Sequence, residues 1–299
     1  MEGRDPRPDS DENAGEHGDA PVPENADAGA DTVEVGGVEQ RLEEELHAEF
    51  ENTVSEGEER LHRTTRALVI TGLFGGVDVG LGIMAMLAVK HATGNELLAG
   101  IAFGVGLLAL RLAHSELFTE DFMLPVNAVL AAHGTVVQLL RLWSVTLVTN
   151  LVGGWLFMWL VVAAFPDYRA DLRTTAASYV TAGFTMETAA LALLAGSTIT
   201  LMTRMSQSAT SDVMLAVISM IGGLLVVGLG MHHGALQSIL VFGAMQAGAD
   251  IGVGAWFGWF WWVTVLNMVG GMVIMTAPRI VRTWELVRQE RRRQGARHH

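Results

Sequence analysis

Long apolar runs separated by short polar stretches dominate the chain from residue 67 onward. A membrane-crossing helix needs about 20 mostly apolar residues, because backbone polar groups in lipid must be satisfied within the segment. Five runs meet this: 67–89, 139–165, 176–202, 213–231 continuing past two histidines, and 256–277. A sixth, 97–113, is cut by the polar insert His114-Ser115-Glu116-Leu117-Phe118-Thr119-Glu120-Asp121 and resumes at 126–132. The run from 213, fifth of the six in chain order, is cut in a similar way by Gly228-Leu229-Gly230-Met231-His232-His233-Gly234. Irregular backbone at membrane depth is tolerated only where protein or a cavity covers it. Two breaks at matching places in two three-helix halves predict an inverted repeat with a site at its interface.

Before the apolar runs, residues 38–64 place Val38, Leu42, Leu46 and Phe50 at helical spacing among charges, which predicts an amphipathic helix. Residues 1–37 are acidic and rich in Pro and Gly, with no apolar stretch resembling a signal peptide. Such a segment buries too little apolar surface to offset chain entropy, so it reads as a disordered leader. The predicted organisation is leader 1–37, helix 38–64, membrane domain 65–283 and basic tail 284–299.

Composition sharpens this. The 299 residues are 50% hydrophobic and 17% charged, with a formal net charge of −13. Residues 1–66 hold 20 acidic and 6 basic side chains, whereas residues 67–299 hold 12 and 13. The acid belongs to the leader, and the membrane body is nearly neutral. No basic face exists to meet nucleic-acid phosphates. The absence of cysteine excludes disulfides, thiolate catalysis and Cys-ligated metals. Basic residues cluster before the first run (Arg60, Arg63, Arg66) and after the last (Arg279, Arg282, Arg288), with Arg141 and Arg204 on the same side. This bias predicts cytoplasmic termini in a plasma or inner membrane.

Ionisable groups inside the runs are the candidate chemistry. His233 leads, since a histidine changes charge near neutral pH. An apolar setting disfavours its charged form, and a nearby anion reverses that preference. An anion that takes up a proton crosses an apolar constriction far more cheaply than an ion. The competing readings are a histidine that only donates a hydrogen bond, or one that is simply a satisfied core residue. His232 points about 100° away on a helix, and adjacent histidines are poor chelators, so no metal or cofactor is expected. Glu116 and Glu187 read as buried or half-buried acids that accept hydrogen bonds or pair with Arg or His. Arg111, inside the interrupted run 97–113, is expected to pair with Glu116 or Glu187, to face a subunit interface, or to add positive potential to an anion path.

The segment Ser115-Glu116-Leu117-Phe118-Thr119 in a broken second span resembles the loop motif of the formate/nitrite transporter family. Gly230 and His233 in the fifth span, Thr149-Asn150-Leu151-Val152-Gly153-Gly154 in the third, Glu187 in the fourth, and Asn267 with Gly270-Gly271 in the sixth agree with that family. The resemblance covers about residues 64–283, and the loop variant is most similar to a less characterised branch. It implies an all-α, six-helix, aquaporin-like protomer in a homopentamer within the bilayer. Each protomer would pass small weak-acid anions such as formate or nitrite with protons. It implies hydrophobic constrictions from Phe103, Leu107, Leu117 and Phe118, a hydroxyl donor in Thr119, and His233 between the constrictions. Val226 stands where a bulky aromatic is common in the family, Val180 where a lysine is, and Gly196 where an asparagine is. Three alternatives compete: a neutral-solute channel, disfavoured by the lack of paired Asn-Pro-Ala boxes; a haem protein or membrane enzyme, for which the histidines are badly spaced; and a non-transporting sensor or scaffold.

Overall fold

The computed structural model describes residues 27–297. The first 26 residues of the leader reading lie outside that range. The chain divides into Met1–Leu46 and His47–His299. Helix α1 (Asp27–His62) begins earlier than the apolar spacing from Val38 predicts. Everything below belongs to His47–His299.

Among the described residues every regular element is helical. They are α2 (Thr65–Thr93), α3 (Glu96–Leu112), α4 (Leu124–Leu130), α5 (Val136–Ala164), α6 (Arg169–Thr181), α7 (Met186–Gln207), α8 (Asp212–Gly223), α9 (Gly234–Gln246), α10 (Val253–Val269), α11 (Ala277–Arg282) and α12 (Trp284–Arg297). Wider π turns extend α8 through Leu224–Gly228 and α10 through Gly270–Thr276. Side-chain oxygens cap most of the long helices. Thr64 starts α2, Asn95 starts α3, Thr135 and Gln138 form a reciprocal box on α5, and Ser211 starts α8. Each cap satisfies backbone N–H groups that a helix start leaves open.

Four helices are long and apolar enough to cross a membrane: Thr65–Thr93, Val136–Ala164, Met186–Gln207 and Val253–Arg282. The pieces α3 with α4, and α8 with α9, are consistent with two further, interrupted crossings. The fourth apolar run is shorter than the sequence predicts. Its stretch 176–202 is broken at Gly183, which takes φ +66°, and Thr185 starts a new helix there. Residues 176–181 end the separate helix α6. Large apolar side chains such as Phe74, Val148, Trp159 and Val273 face outward, as lipid or subunit contact requires.

The two halves repeat in geometry though not in sequence. His114 (φ +54°) and Gly230 (φ +66°) each end a half-helix in the left-handed region. Behind them Ser115 N–H donates to the Leu110 carbonyl (3.1 Å), and Met231 N–H donates to the Val226 carbonyl (2.9 Å). This is the same helix-closing bond, 116 residues apart. On the flanking helices, a Cβ on Gly76 would come 2.0 Å from the Asn150 carbonyl oxygen, and one on Gly196 would come 2.0 Å from that of Asn267. At Gly196 the sixth span's backbone therefore leaves no room for a side chain. The half-helices cross reciprocally. A Cβ on Gly104 would meet the Ser219 carbonyl (2.8 Å), and one on Gly223 would meet that of Gly100 (2.4 Å).

Candidate functional site

The two breaks are held by equivalent asparagines. Asn150 on α5 donates from Nδ2 to the carbonyls of Gly72 and Glu116, both at 2.8 Å, and its Oδ1 accepts the Phe118 N–H at 2.9 Å. Asn267 on α10 donates to the carbonyls of Ala192 (2.8 Å) and His232 (2.9 Å), and its Oδ1 accepts the Gly234 N–H at 2.8 Å. A break buried in a membrane leaves backbone groups without water, and each amide supplies one acceptor and two donors where they are missing. Under this equivalence Leu117 in one half matches His233 in the other.

His233 caps α9. Its Nδ1 accepts the Leu236 N–H at 3.2 Å, and its own N–H donates to Gln237 Oε1. Gln237 in turn donates to the Met231 carbonyl at 2.7 Å. An accepting Nδ1 leaves the proton of a neutral ring on Nε2. Nε2 lies 3.0 Å from Thr119 Oγ1, the hydroxyl delivered by the 3-10 turn Phe118–Glu120 of the other break. Both side chains are 1% exposed. The apolar residues predicted beside them are brought together: Phe103, Leu107, Leu117 and Val226 are buried in one cluster. Phe118 is buried as well, edge-on to Phe122 at 5.1 Å.

Two cavities border this apolar cluster, one at Val227 and one at Leu107. One, of about 470 Å³, is lined by Lys90, Glu96, Ser178, Tyr179, Val227 and His232, among others. Lys90, the only lysine in the chain, holds Glu96 at 2.6 Å and donates to Thr175 Oγ1 at 2.8 Å. Helix spacing shows no role for Lys90 or Tyr179; the one available signal was that this lysine is unique. His232 faces this cavity from the break, and its Nδ1 accepts the Trp259 indole N–H at 3.2 Å. The other, of about 10 Å³, touches Leu107, Arg111 and Glu120.

Around Glu116, Glu120 and Asp121 the charges pair in ways the sequence spacing does not reveal. Glu116 receives Arg63 at 2.8 Å, and Asp121 receives Arg60 at 2.8 Å. Arg60 also holds Glu56 at 2.9 Å. Burial pulls the Arg60 pKa down, but Asp121, Glu56, Glu116 and Glu120 together push it above the ordinary arginine value. The arginines that read as flanking charges thus neutralise the loop's acids. Arg111 pairs with Glu120, at 3.4 Å, rather than with Glu116 or Glu187. Glu187 is not buried: it is exposed in the first turn of α7, where a carboxylate is favoured by the helix dipole.

Comparison with known proteins agrees with this architecture. The sequence model described as "Formate/nitrite transporter" matches residues 47–281. The inner membrane protein YfdC of Escherichia coli (strain K12) is 28% identical over 127 residues, which span 40% of this chain and 41% of that protein. Among solved structures, an FNT family ion channel superposes with a TM-score of 0.69 at 18% identity, covering 79% of this chain and 99% of that one. A pentameric formate channel with formate bound gives 0.60 at 18% identity, covering 75% and 96%. A multi-pass membrane protein, all helical and built on two broken helices, this chain belongs to the formate/nitrite transporter family.

Proposed function

We propose that each protomer conducts small monovalent weak-acid anions, formate or nitrite in kind, together with a proton, through the waist formed by His233 and Thr119. Carrying this reading is one observation: a hydrogen-bonded polar pair sits fully buried among apolar side chains, in a cluster bordered by a cavity of about 470 Å³ at Val227. Moving an ion through such a waist costs several kcal/mol in desolvation. A protonated formate or nitrite avoids most of that cost. The 470 Å³ cavity with Lys90 collects anions at one mouth, and His233 and Thr119 present donors at the waist. By the arginine bias the termini are cytoplasmic and the Lys90 mouth faces outward. The family neighbour that forms a pentamer supports the same assembly for this chain.

A second reading is favoured by the bond from Leu236 N–H to His233 Nδ1. Protonating the ring at Nδ1 requires that bond to open, so a histidine kept neutral would serve as a fixed donor through Nε2. In that case the anion would move without a proton from the histidine.

Proteoliposomes with an imposed pH gradient test the proposal, comparing formate, nitrite, hydrosulfide, acetate and glycerol. Uptake of the weak acids driven by an inward proton gradient is expected. Glycerol uptake without any weak-acid movement would instead identify a neutral-solute channel, and no movement at all would leave a sensor or scaffold.

A further inference from the structure

We infer that Arg111 and Glu120 form an exchangeable anion subsite at the cavity beside Leu107, in which an arriving planar anion with two oxygens takes the place of the Glu120 carboxylate on the Arg111 guanidinium. This rests on the pore reading above and adds to it a binding step at a stated residue.

The first observation is that the pair is loose. Arg111 Nη2 stands 3.4 Å from Glu120 Oε1, and that nitrogen is buried without a hydrogen-bond partner. Its neighbours differ. Arg60 holds carboxylates at 2.8 and 2.9 Å, and Arg63 holds them at 2.8 and 3.2 Å. A buried guanidinium N–H left unmade is costly, so a ligand that completes it gains that energy back. The planar fork of arginine matches a two-oxygen anion bidentately, whereas a lysine offers a point charge.

The second observation is where the pair points. Arg111 and Glu120 line a cavity of about 10 Å³ together with Leu107, Thr203, Ser206 and Ser219. That holds at most about one water, so a planar anion reaches Arg111 only as the Glu120 side chain swings aside. Leu107 belongs to the apolar cluster of the waist, so the cavity adjoins the pathway. The repeat gives an independent argument. Arg111 and Val227 accept equivalent bonds, from His114 N–H and Gly230 N–H, at the ends of the two half-helices. Val227 lines the 470 Å³ cavity. Position 111 is thus the cavity-lining position of its own half, and there the chain carries a charge.

The third observation concerns balance. Glu120 is buried beside Glu116 and Asp121, and both of those have a tight arginine partner, which leaves Glu120 with the weakest hold. Glu120 stays beside Arg111 when an anion arrives, so the two negative groups compete for one guanidinium. Glu120 therefore acts as an internal competitor that sets the concentration at which the anion enters.

The test is formate uptake by the full-length protein in proteoliposomes, titrated to half-saturation. Arg111→Gln is expected to raise the half-saturating formate concentration about tenfold, the loss of one charge-assisted bidentate contact. Glu120→Gln is expected to lower it several-fold, a direction that misfolding cannot produce. Arg111→Lys should retain hydrosulfide uptake while losing affinity for formate. Half-saturation within twofold of wild type in all three variants, with wild type transporting, overturns this inference alone. Failure of the wild-type protein to move any weak acid overturns it together with the pore reading.

Discussion

His233 Nε2 lies 3.0 Å from Thr119 Oγ1, and this contact joins the two broken helices across the centre of the repeat. The histidine is fixed from the other side by Leu236 N–H, so Thr119 is the partner left to the Nε2 proton. Thr119→Val keeps the shape and removes the acceptor, leaving a buried N–H unpaired at a cost of about 1–3 kcal/mol. Formate uptake in proteoliposomes should fall at least tenfold, with assembly unchanged by gel filtration. Undiminished uptake would remove Thr119 from the pathway.

Asn150 and Asn267 each satisfy one N–H and two carbonyls inside a break. Alanine at either position strands all three, and each stranded group is worth about 1 kcal/mol or more. Both variants should lose about 3 kcal/mol or more of stability and melt well below wild type in detergent. Because the sites are equivalent, similar losses are expected. A loss at one site only would contradict the repeat as a structural unit.

His133 makes a clasp outside the membrane-spanning helices, with Nδ1 2.5 Å from Glu58 on α1 and Nε2 2.9 Å from Glu290 on α12. Burial lowers its pKa, but hydrogen bonds to Glu290 and Glu58 outweigh this and raise it above the ordinary histidine value. Its contribution is therefore complete below that ordinary value and is lost as pH rises through the raised one. Glu290 is held below the usual carboxylate range, chiefly by the His133 hydrogen bond, so its share is lost as pH falls through that lowered value. The clasp is firm at mildly acidic pH and loosens toward alkaline pH. Hydrogen exchange of α12 should accelerate above neutral pH in wild type and lose that step in His133→Gln. An identical pH profile in both would rule the clasp out.

Lys90 stands in the 470 Å³ cavity with Glu96 and Thr175. Lys90→Gln removes its positive charge and should reduce formate uptake several-fold at sub-saturating concentration, with little change at saturation. The difference should shrink as ionic strength rises, because salt screens the attraction of an approaching anion to the cavity. Equal loss at low and high formate would mean that Lys90 acts on the fold instead.

The apolar runs and their breaks were legible because lipid imposes a length and a continuous hydrophobicity that few soluble segments meet. The loop motif pointed to Thr119 and the break in the fifth span to His233, and the fold brings the two together across 114 residues. Spacing along the chain could not show that Arg60 and Arg63 reach Asp121 and Glu116, since that depends on α1 returning against the broken second span. Glu187 looked buried because the apolar run extends through 176–202, and the turn at Gly183 sets it in the exposed first turn of α7 instead. The equivalence of Gly196 with Gly76 is equally silent in sequence, because it records what a facing backbone excludes.

The central claim is that a weak acid crosses the His233–Thr119 waist with its proton, carrying no net charge. Formate uptake at a fixed pH gradient, with the membrane potential set by valinomycin and potassium, measures this directly. One elementary charge is worth about 2.3 kcal/mol per 100 mV. Uptake unchanged within about twofold across 100 mV is the predicted result. A flux that follows the potential, by up to about fiftyfold if the whole charge crosses the field, would contradict it.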